Sequence, residues 1–416
     1  MSKFLYRLFL FLYKFLIGLI TPFNHKAKQW KTGRKNLLQK LKESIPDGHK
    51  IIWMHCSSLG EFEQGRPVIE KLKIQYPAYK ILLTFFSPSG YEVQKNYNGA
   101  DFVFYLPMDS YSNAVAFFDI VSPSLIIYVK YEFWHYYLQE AKKRKVPLLL
   151  ISAVFRKEQP FFAPYGKFHR NMLACFTHFF VQNEESVSLL ASIGFRNVSV
   201  SGDTRFDRVI EIARKHQTFP EIDAFCGNAD VVVAGSTWTE DDKQLDHYAN
   251  TKTEVRFIIA PHNIGKDRLS ECLHLYKNSI LFSSLSRNGN PDAKNTLIMD
   301  NIGMLSSLYS YATVCYVGGG FGAGGVHNVL EAAVYAKPVL FGPEYHKYLE
   351  AVELIENDGA ATVTNTFQLE QTLDILLQKN AAYFIKCEAA KNYVYGKQGA
   401  TENVLEFIYA NRLLTT

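Results

Sequence analysis

The feature that most constrains this chain is a rhythm of short, almost uninterrupted apolar runs separated by helical stretches. Ile51–His55, Ile81–Phe85, Phe102–Leu106, Leu125–Val129, Val146–Ser152 and His178–Gln182 are Val, Ile, Leu and Phe with little polar alternation. Such runs predict strands covered on both faces, hence a parallel sheet. The rhythm restarts at Val231–Ala234 and continues through Val255–Ala260, Ile280–Ser283, Thr296–Met299, Thr313–Val317 and Pro338–Phe341. Between the two series, Asp207 to Asp230 has no strand pattern and carries Pro220 and Gly227. A domain junction is expected there, giving an extension at 1–24, one domain at 25–215 and a second at 216–416. At 416 residues the chain suits two such domains. Two facing Rossmann-like α/β domains follow, with ligands between them at the C-terminal ends of strands.

The extension has its own logic. From Phe4 to Phe23 the residues are nearly all Leu, Phe, Ile and Tyr, broken by Arg7, Lys14 and Gly18. A bilayer needs roughly 20 apolar residues. Arg7 and Lys14 share one helical face, so a helix lying in the interface is an equal reading. Lys26, Lys28, Lys31, Arg34, Lys35, Lys40 and Lys42 follow, with no acid before Glu43. Basic residues beside an apolar helix mark the cytoplasmic side of a membrane. The net charge of +5 is too mild to argue for nucleic acid. Six scattered cysteines without a C-x-x-C pair exclude a zinc ribbon or thioredoxin motif and fit a reducing compartment.

The most informative segment is Gly318-Gly319-Gly320-Phe321-Gly322-Ala323-Gly324-Gly325-Val326-His327-Asn328-Val329-Leu330-Glu331. It follows an expected strand and leads into an expected helix from Asn328 to Tyr335. Glycines let backbone N–H groups approach a phosphate, and a helix start adds positive charge. His327, Asn328 and Glu331 put polar groups where they can reach a phosphate, ribose or base. Gly320-x-Gly322-x-x-Gly325 also matches the dinucleotide fingerprint of dehydrogenases, but that fingerprint normally opens a domain.

Two acids stand at strand ends of the first half. Glu61 falls on an expected loop, before a helical stretch from Gly65 to Lys73, where a carboxylate can take a proton from an acceptor hydroxyl. Ser58-x-x-Glu61 is equally a capping box. Glu132 follows Leu125–Val129 beside Trp134 and fits a hydroxyl-binding site or a buried ion pair. In the second half Ser236, Thr237 and His262 fall at strand ends; the first two can bind phosphate or cap a helix, and His262 can pair with an anion. No H-E-x-x-H, Asp-x-Asp, Gly-x-Ser-x-Gly or G-x-x-x-x-G-K-[S/T] pattern occurs, and neither metal nor cofactor is expected.

Taken in order, these pieces resemble the Kdo transferases, which move 3-deoxy-D-manno-octulosonic acid (Kdo) from CMP-Kdo to the lipid A precursor. The markers are Ile52-Trp53-Met54-His55 through Gly60-Glu61, Ser87-Pro88-Ser89-Gly90, Tyr105-Leu106-Pro107-Met108-Asp109 and Glu132-Phe133-Trp134. Gly202-Asp203-Thr204-Arg205-Phe206-Asp207, Ala234-Gly235-Ser236 and the glycine loop complete the series. The resemblance implies a GT-B fold, inverting transfer without metal, and residence on the cytoplasmic face of the inner membrane. It implies Glu61 as general base, with Ser58, Gly60 and Glu132 on the acceptor side. Arg205, Ser236, Thr237, His262, Gly319, Gly320, Gly324, Gly325, His327, Asn328 and Glu331 are expected to serve CMP-Kdo. The rival readings are another membrane-associated GT-B glycosyltransferase, a nicotinamide-dependent oxidoreductase and a non-catalytic nucleotide-binding adaptor.

Overall fold

The computed structural model describes residues 3–288 and 294–415. Among them, fourteen strands form two seven-stranded sheets, every neighbouring pair parallel. The first contains β1 (Ile51–Cys56), β2 (Lys80–Phe85), β3 (Phe102–Tyr105), β4 (Pro123–Val129), β5 (Leu148–Ala153), β6 (His178–Val181) and β7 (Val198–Val200), in the order β3-β2-β1-β4-β5-β6-β7. The second contains β8 (Val231–Thr237), β9 (Arg256–Pro261), β10 (Ser279–Leu281), β11 (Thr296–Ile298), β12 (Val314–Val317), β13 (Val339–Phe341) and β14 (Ala360–Thr362). Its order is β10-β11-β9-β8-β12-β13-β14.

The apolar runs are explained by burial on both faces. Successive residues of a strand point to opposite sides. In the first sheet Trp53, Tyr128 and Leu150 enter one core, while Ile52, Met54, Leu83 and Ile127 enter another. A polar residue on either face needs a buried partner, as His55 and Thr84 have, so polar residues do not alternate along these strands. In the second sheet Val232, Ala234, Phe257, Ile259 and Tyr316 share one core. The sequence pattern missed β7 and β14. Each is a three-residue edge strand, Val198-Ser199-Val200 and Ala360-Ala361-Thr362, without a run of large apolar residues.

Contacts divide the chain into two units, Met1–Arg208 with Gly399–Thr416, and Val209–Gln398. The division falls inside helix Thr204–Arg214 rather than at 215. The expected second domain also stops short of 416. The last helix, Ala400–Ala410, buries Val404, Leu405 and Ile408 in the first unit's core. Asp207 receives its N-terminus, accepting from the N–H groups of Gly399 and Thr401 at 2.6 Å each.

Three helices precede the first sheet: α1 (Lys3–Ile20), α2 (His25–Gly33) and α3 (Leu37–Ser44). α1 buries only Tyr6 and Leu10. Tyr6 donates to Asp109 at 2.6 Å, and Asp109 also accepts from the N–H groups of Tyr136 and Tyr137. Arg34 ties α2 to the sheet edge, donating to the carbonyls of Leu106 and Phe86 with its guanidinium over the rings of Trp30, Phe86 and Tyr105. Among the described residues no helix is long and apolar enough to cross a membrane.

Candidate functional site

In each sheet the strand order reverses at one place, and the functional loops stand there. β1 and β4 are neighbours from which the first sheet winds outward in opposite directions; β8 and β12 play the same part in the second. The loops beyond such a pair diverge and leave a crevice at the carboxyl ends of the strands.

After β1 the chain turns at Ser57 and Ser58 into α4 (Leu59–Gln75). The helix begins six residues before the sequence-based expectation, so Glu61 sits in its first turn and not on a loop. The capping box is the reason: Ser58 N–H donates to Glu61 Oε2 at 3.0 Å. Glu61 is half-buried. Burial and then the charge of Glu132 push its carboxyl up, the N–H groups of Ser58 and Ser57 and the charge of Lys130 pull it down, and it comes to rest at about 7. Gly60 is exposed beside it.

Glu132 follows β4 and is the hub of the crevice. It accepts from the Ser57 hydroxyl, from His55 Nε2 at 3.1 Å and from the Trp134 indole. His55 is fully buried, with Nδ1 2.8 Å from Thr84 Oγ1, and Trp53 Nε1 donates to the same oxygen at 2.7 Å. We assign the ring proton to Nε2 because a carboxylate only accepts. The polar chain Trp53–Thr84–His55 thus holds Glu132 from within the core. His55, Ser57 and Trp134 belong to the marker segments, but no role for them was visible in one dimension.

Arg205 lies in the first unit, apart from the other residues expected to serve the donor, all of which are in the second. Its guanidinium is on Asp203, with Nη2 and Nε at 2.8 and 3.0 Å. Asp203 is buried and also accepts from Gln64 at 2.8 Å and Gln182 at 3.0 Å. Thr204 donates to the Gln64 carbonyl. Because Gln64 lies one turn beyond Glu61 on α4, this joint sets the helix that carries the acid.

In the second unit the two loops touch at backbone level. A Cβ on Gly318 would stand 2.4 Å from the Ser236 carbonyl oxygen. Ser236 itself has φ 56°, unusual for a residue with a side chain. Asp241 joins the loops: it is buried and accepts from Trp238 N–H at 2.9 Å, Gly319 N–H at 2.8 Å and Tyr316 OH at 2.9 Å. Its spacing from Trp238 is that of a first-turn capping acid, the one signal that could have found it.

Above this joint three rings meet. Trp238 stacks on His262 with centroids 4.6 Å apart, His262 stacks on His327 at 4.5 Å, and Trp238 Nε1 donates to His327 Nε2 at 3.0 Å. Burial, helped by His262, pushes His327 down to about 4, so its imidazole is neutral. With Nε2 accepting, Nδ1 carries the proton and can donate to an anion. Burial also lowers His262. Thr237 is buried below, and its carbonyl accepts from His262 N–H at 3.0 Å.

The glycine loop differs from expectation at its end. The helix is a single turn, Leu330–Ala333, and not Asn328–Tyr335, because Asn328 turns on itself: Oδ1 accepts from Leu330 N–H and Nδ2 donates to Glu331. The macrodipole contribution shrinks accordingly. Gly319 and Gly320 answer to packing, since added Cβ atoms would stand 2.5 Å from the Gly325 carbonyl oxygen and 2.6 Å from Gly342 N. Gly325 likewise faces Tyr348 and has φ 77°. Gly324 is exposed; a Cβ added there would meet nothing within 4 Å, and its carbonyl accepts from the Tyr348 hydroxyl.

Paired doubly wound sheets, each with loops gathered at its switch point, are the GT-B architecture. The N-terminal family of 3-deoxy-D-manno-octulosonic-acid transferases matches residues 28–208. A 3-deoxy-D-manno-octulosonic acid transferase of Rickettsia typhi is 25% identical over 92% of this chain and 85% of its own length. That of Aquifex aeolicus is 27% identical over 81% of this chain and 88% of its own. A bifunctional glycosyltransferase/methyltransferase of Fusobacterium nucleatum is 27% identical over 88% of this chain, which spans 56% of that protein. The fold is also that of UDP-GlcNAc 2-epimerase from Neisseria meningitidis (TM-score 0.62, 17% identity, 87% of this chain and 100% of that one). MurG of Acinetobacter baumannii shares it (TM-score 0.55, 12% identity, 87% and 99%). The chain is a glycosyltransferase related to the Kdo transferases.

Proposed function

We propose that the chain transfers Kdo from CMP-Kdo to a hydroxyl of the lipid A precursor, with inversion, at the cytoplasmic face of the inner membrane. The observation that carries this reading is Glu61, a carboxyl held at about 7 beside a second carboxylate at a switch point. A base poised near neutral pH can take the acceptor's proton as the glycosidic bond forms. Glu132 can accept a hydrogen bond from the acceptor, and its charge makes the Glu61 carboxylate a stronger base for the acceptor's proton. The second unit holds the donor, with the phosphate near Gly324 and His327 Nδ1 donating to it. Charge growing on the departing CMP is met by fixed N–H groups without reorganisation. The exposed Phe4, Leu8, Phe11, Phe15 and Leu19 of α1 lie in the membrane interface, with the lysines that follow facing anionic lipid.

The test is CMP release from CMP-Kdo in excess EDTA, with and without lipid A precursor. Release that depends on the acceptor, with a Kdo-sized mass gain on the lipid, is expected. Glu61→Gln should lower turnover by about 10²- to 10⁴-fold, the usual contribution of a general base. Release indifferent to acceptor, or equal turnover in the variant, would overturn the reading.

A further inference from the structure

The first unit carries a groove of about 1380 Å³ lined by α1, α2, α3 and the loop around Pro107 and Met108. Its walls include Phe11, Phe15, Ile17, Trp30, Leu37 and Leu38. Lys14, Lys28, Lys31 and Lys35 also line it, all are exposed, and no Asp or Glu does. None of these lysines has a carboxylate partner among the described residues. The apolar interior asks for hydrocarbon, and the uncompensated rim asks for an anion.

The groove wall is joined to Glu132 by a short chain of aromatic contacts. Trp30 packs against Phe86 with centroids 5.9 Å apart, Phe86 packs against Trp134 at 4.5 Å, and Trp134 donates to Glu132. Tyr13 of α1 reaches the same Phe86 at 6.0 Å. One aromatic ring therefore stands between the groove wall and the side chain that holds the second carboxylate.

We infer that this groove seats the acyl chains of the acceptor lipid, with a lipid phosphate on the lysine rim and the reacting hydroxyl directed past Phe86 toward Glu132 and Glu61. The inference rests on the proposed transfer to a phosphorylated, acylated acceptor and adds where its hydrocarbon lies. It makes α1 part of the acceptor site and not only a means of adhering to a membrane.

Gly18 supplies the test, because it lines the groove and a Cβ there meets nothing within 4 Å. Gly18→Trp fills the space from a position where the fold has room. A second variant, Lys28→Glu with Lys31→Glu and Lys35→Glu, reverses the rim without touching the core. Monomeric dioctanoyl phosphatidic acid should bind the wild type at one site by calorimetry, and each variant about tenfold or more weakly. In transfer assays KM for the acylated acceptor should rise about tenfold or more, with kcat unchanged. KM for a deacylated acceptor, which keeps its phosphate, should stay as it is in Gly18→Trp and rise in the lysine variant. Equal losses on both acceptors in Gly18→Trp, or no change on either acceptor in either variant, overturn the inference. So does a loss confined to binding of phosphatidylglycerol vesicles, which would reduce the groove to surface adhesion. Phosphatidic acid binding with an unchanged KM for the acylated acceptor overturns it too, since the occupant would be bulk phospholipid. If the wild type transfers nothing to any acceptor, the functional proposal fails, while the calorimetric arm still decides whether the groove takes an acylated phosphate.

Discussion

At the scale of single residues the chemistry depends on what surrounds two carboxyls. Glu61 serves as cap and candidate base at once, and spacing alone could not separate these roles. The variant Glu61→Gln can, since glutamine keeps the capping box and loses the titrating group. The folded chain holds the Glu61 proton to about 7, and the unfolded chain releases it near 4.5. Folded protein therefore binds more protons in that window, so this group's contribution to stability is full below it and is lost as pH rises through about 7. Melting temperatures of wild type and Glu61→Gln should be close at about pH 4, with the variant gaining on the wild type up to about pH 8. A constant difference would mean that Glu61 titrates at its ordinary value. Over the same range kcat/KM of the wild type should rise with pH through about 7; a flat profile would leave only the cap. Glu61 was legible because it stands at a strand end with capping spacing. The pKa was not, because it comes first from burial and then from Glu132, which lies 71 positions away in the chain and is brought close only by the β1–β4 pairing.

At the scale of elements, segments that mark the resemblance in the sequence, and the glycine loop, also do structural work. Gly202 to Asp207 is the clearest case. Asp203 and Thr204 grip Gln64 of α4, and Asp207 caps the last helix. Removing this cap by Asp207→Ala frees two N–H groups at a helix start, a loss of about 0.5–2 kcal/mol. The expected outcome is a lower midpoint in urea with an unchanged slope, and little change in kcat on whatever acceptor the wild type uses. A variant as stable as the wild type would show that the two hydrogen bonds contribute nothing net. The glycine loop divides similarly: Gly319, Gly320 and Gly325 are required by neighbouring backbone or by Tyr348, whereas a Cβ on Gly324 would meet nothing within 4 Å. A string of glycines looks uniform in sequence because the reason for each lies in what stands against it.

At the scale of the whole molecule, the chain returns its last 18 residues, Gly399–Thr416, to the unit in which it began. Val404, Leu405, Ile408 and Leu414 join the core on one face of the first sheet. At roughly 1.5–3 kcal/mol for each fully buried apolar side chain, their loss rivals a domain's entire stability of roughly 5–15 kcal/mol. A chain ending at Gln398 should therefore expose the first unit to rapid proteolysis while 209–398 stays resistant; equal resistance in both chains would refute the closing role of the last helix. The sequence by itself determined that two parallel sheets form, because uninterrupted apolar runs are stable only as strands covered on both faces. It also determined that an apolar and then basic segment precedes them, and which segments carry glycine and acid at strand ends. Tertiary structure alone decided the strand orders, and so the placing of Glu61 with Glu132 and of Ser236 with Gly318. It decided too that Trp238, His262 and His327 share one site, and that the end of the chain closes its beginning. Local pattern reports whether a residue is buried and in what period. Which residues meet is set by the pairing of strands far apart in the chain, and that pairing leaves no periodic trace.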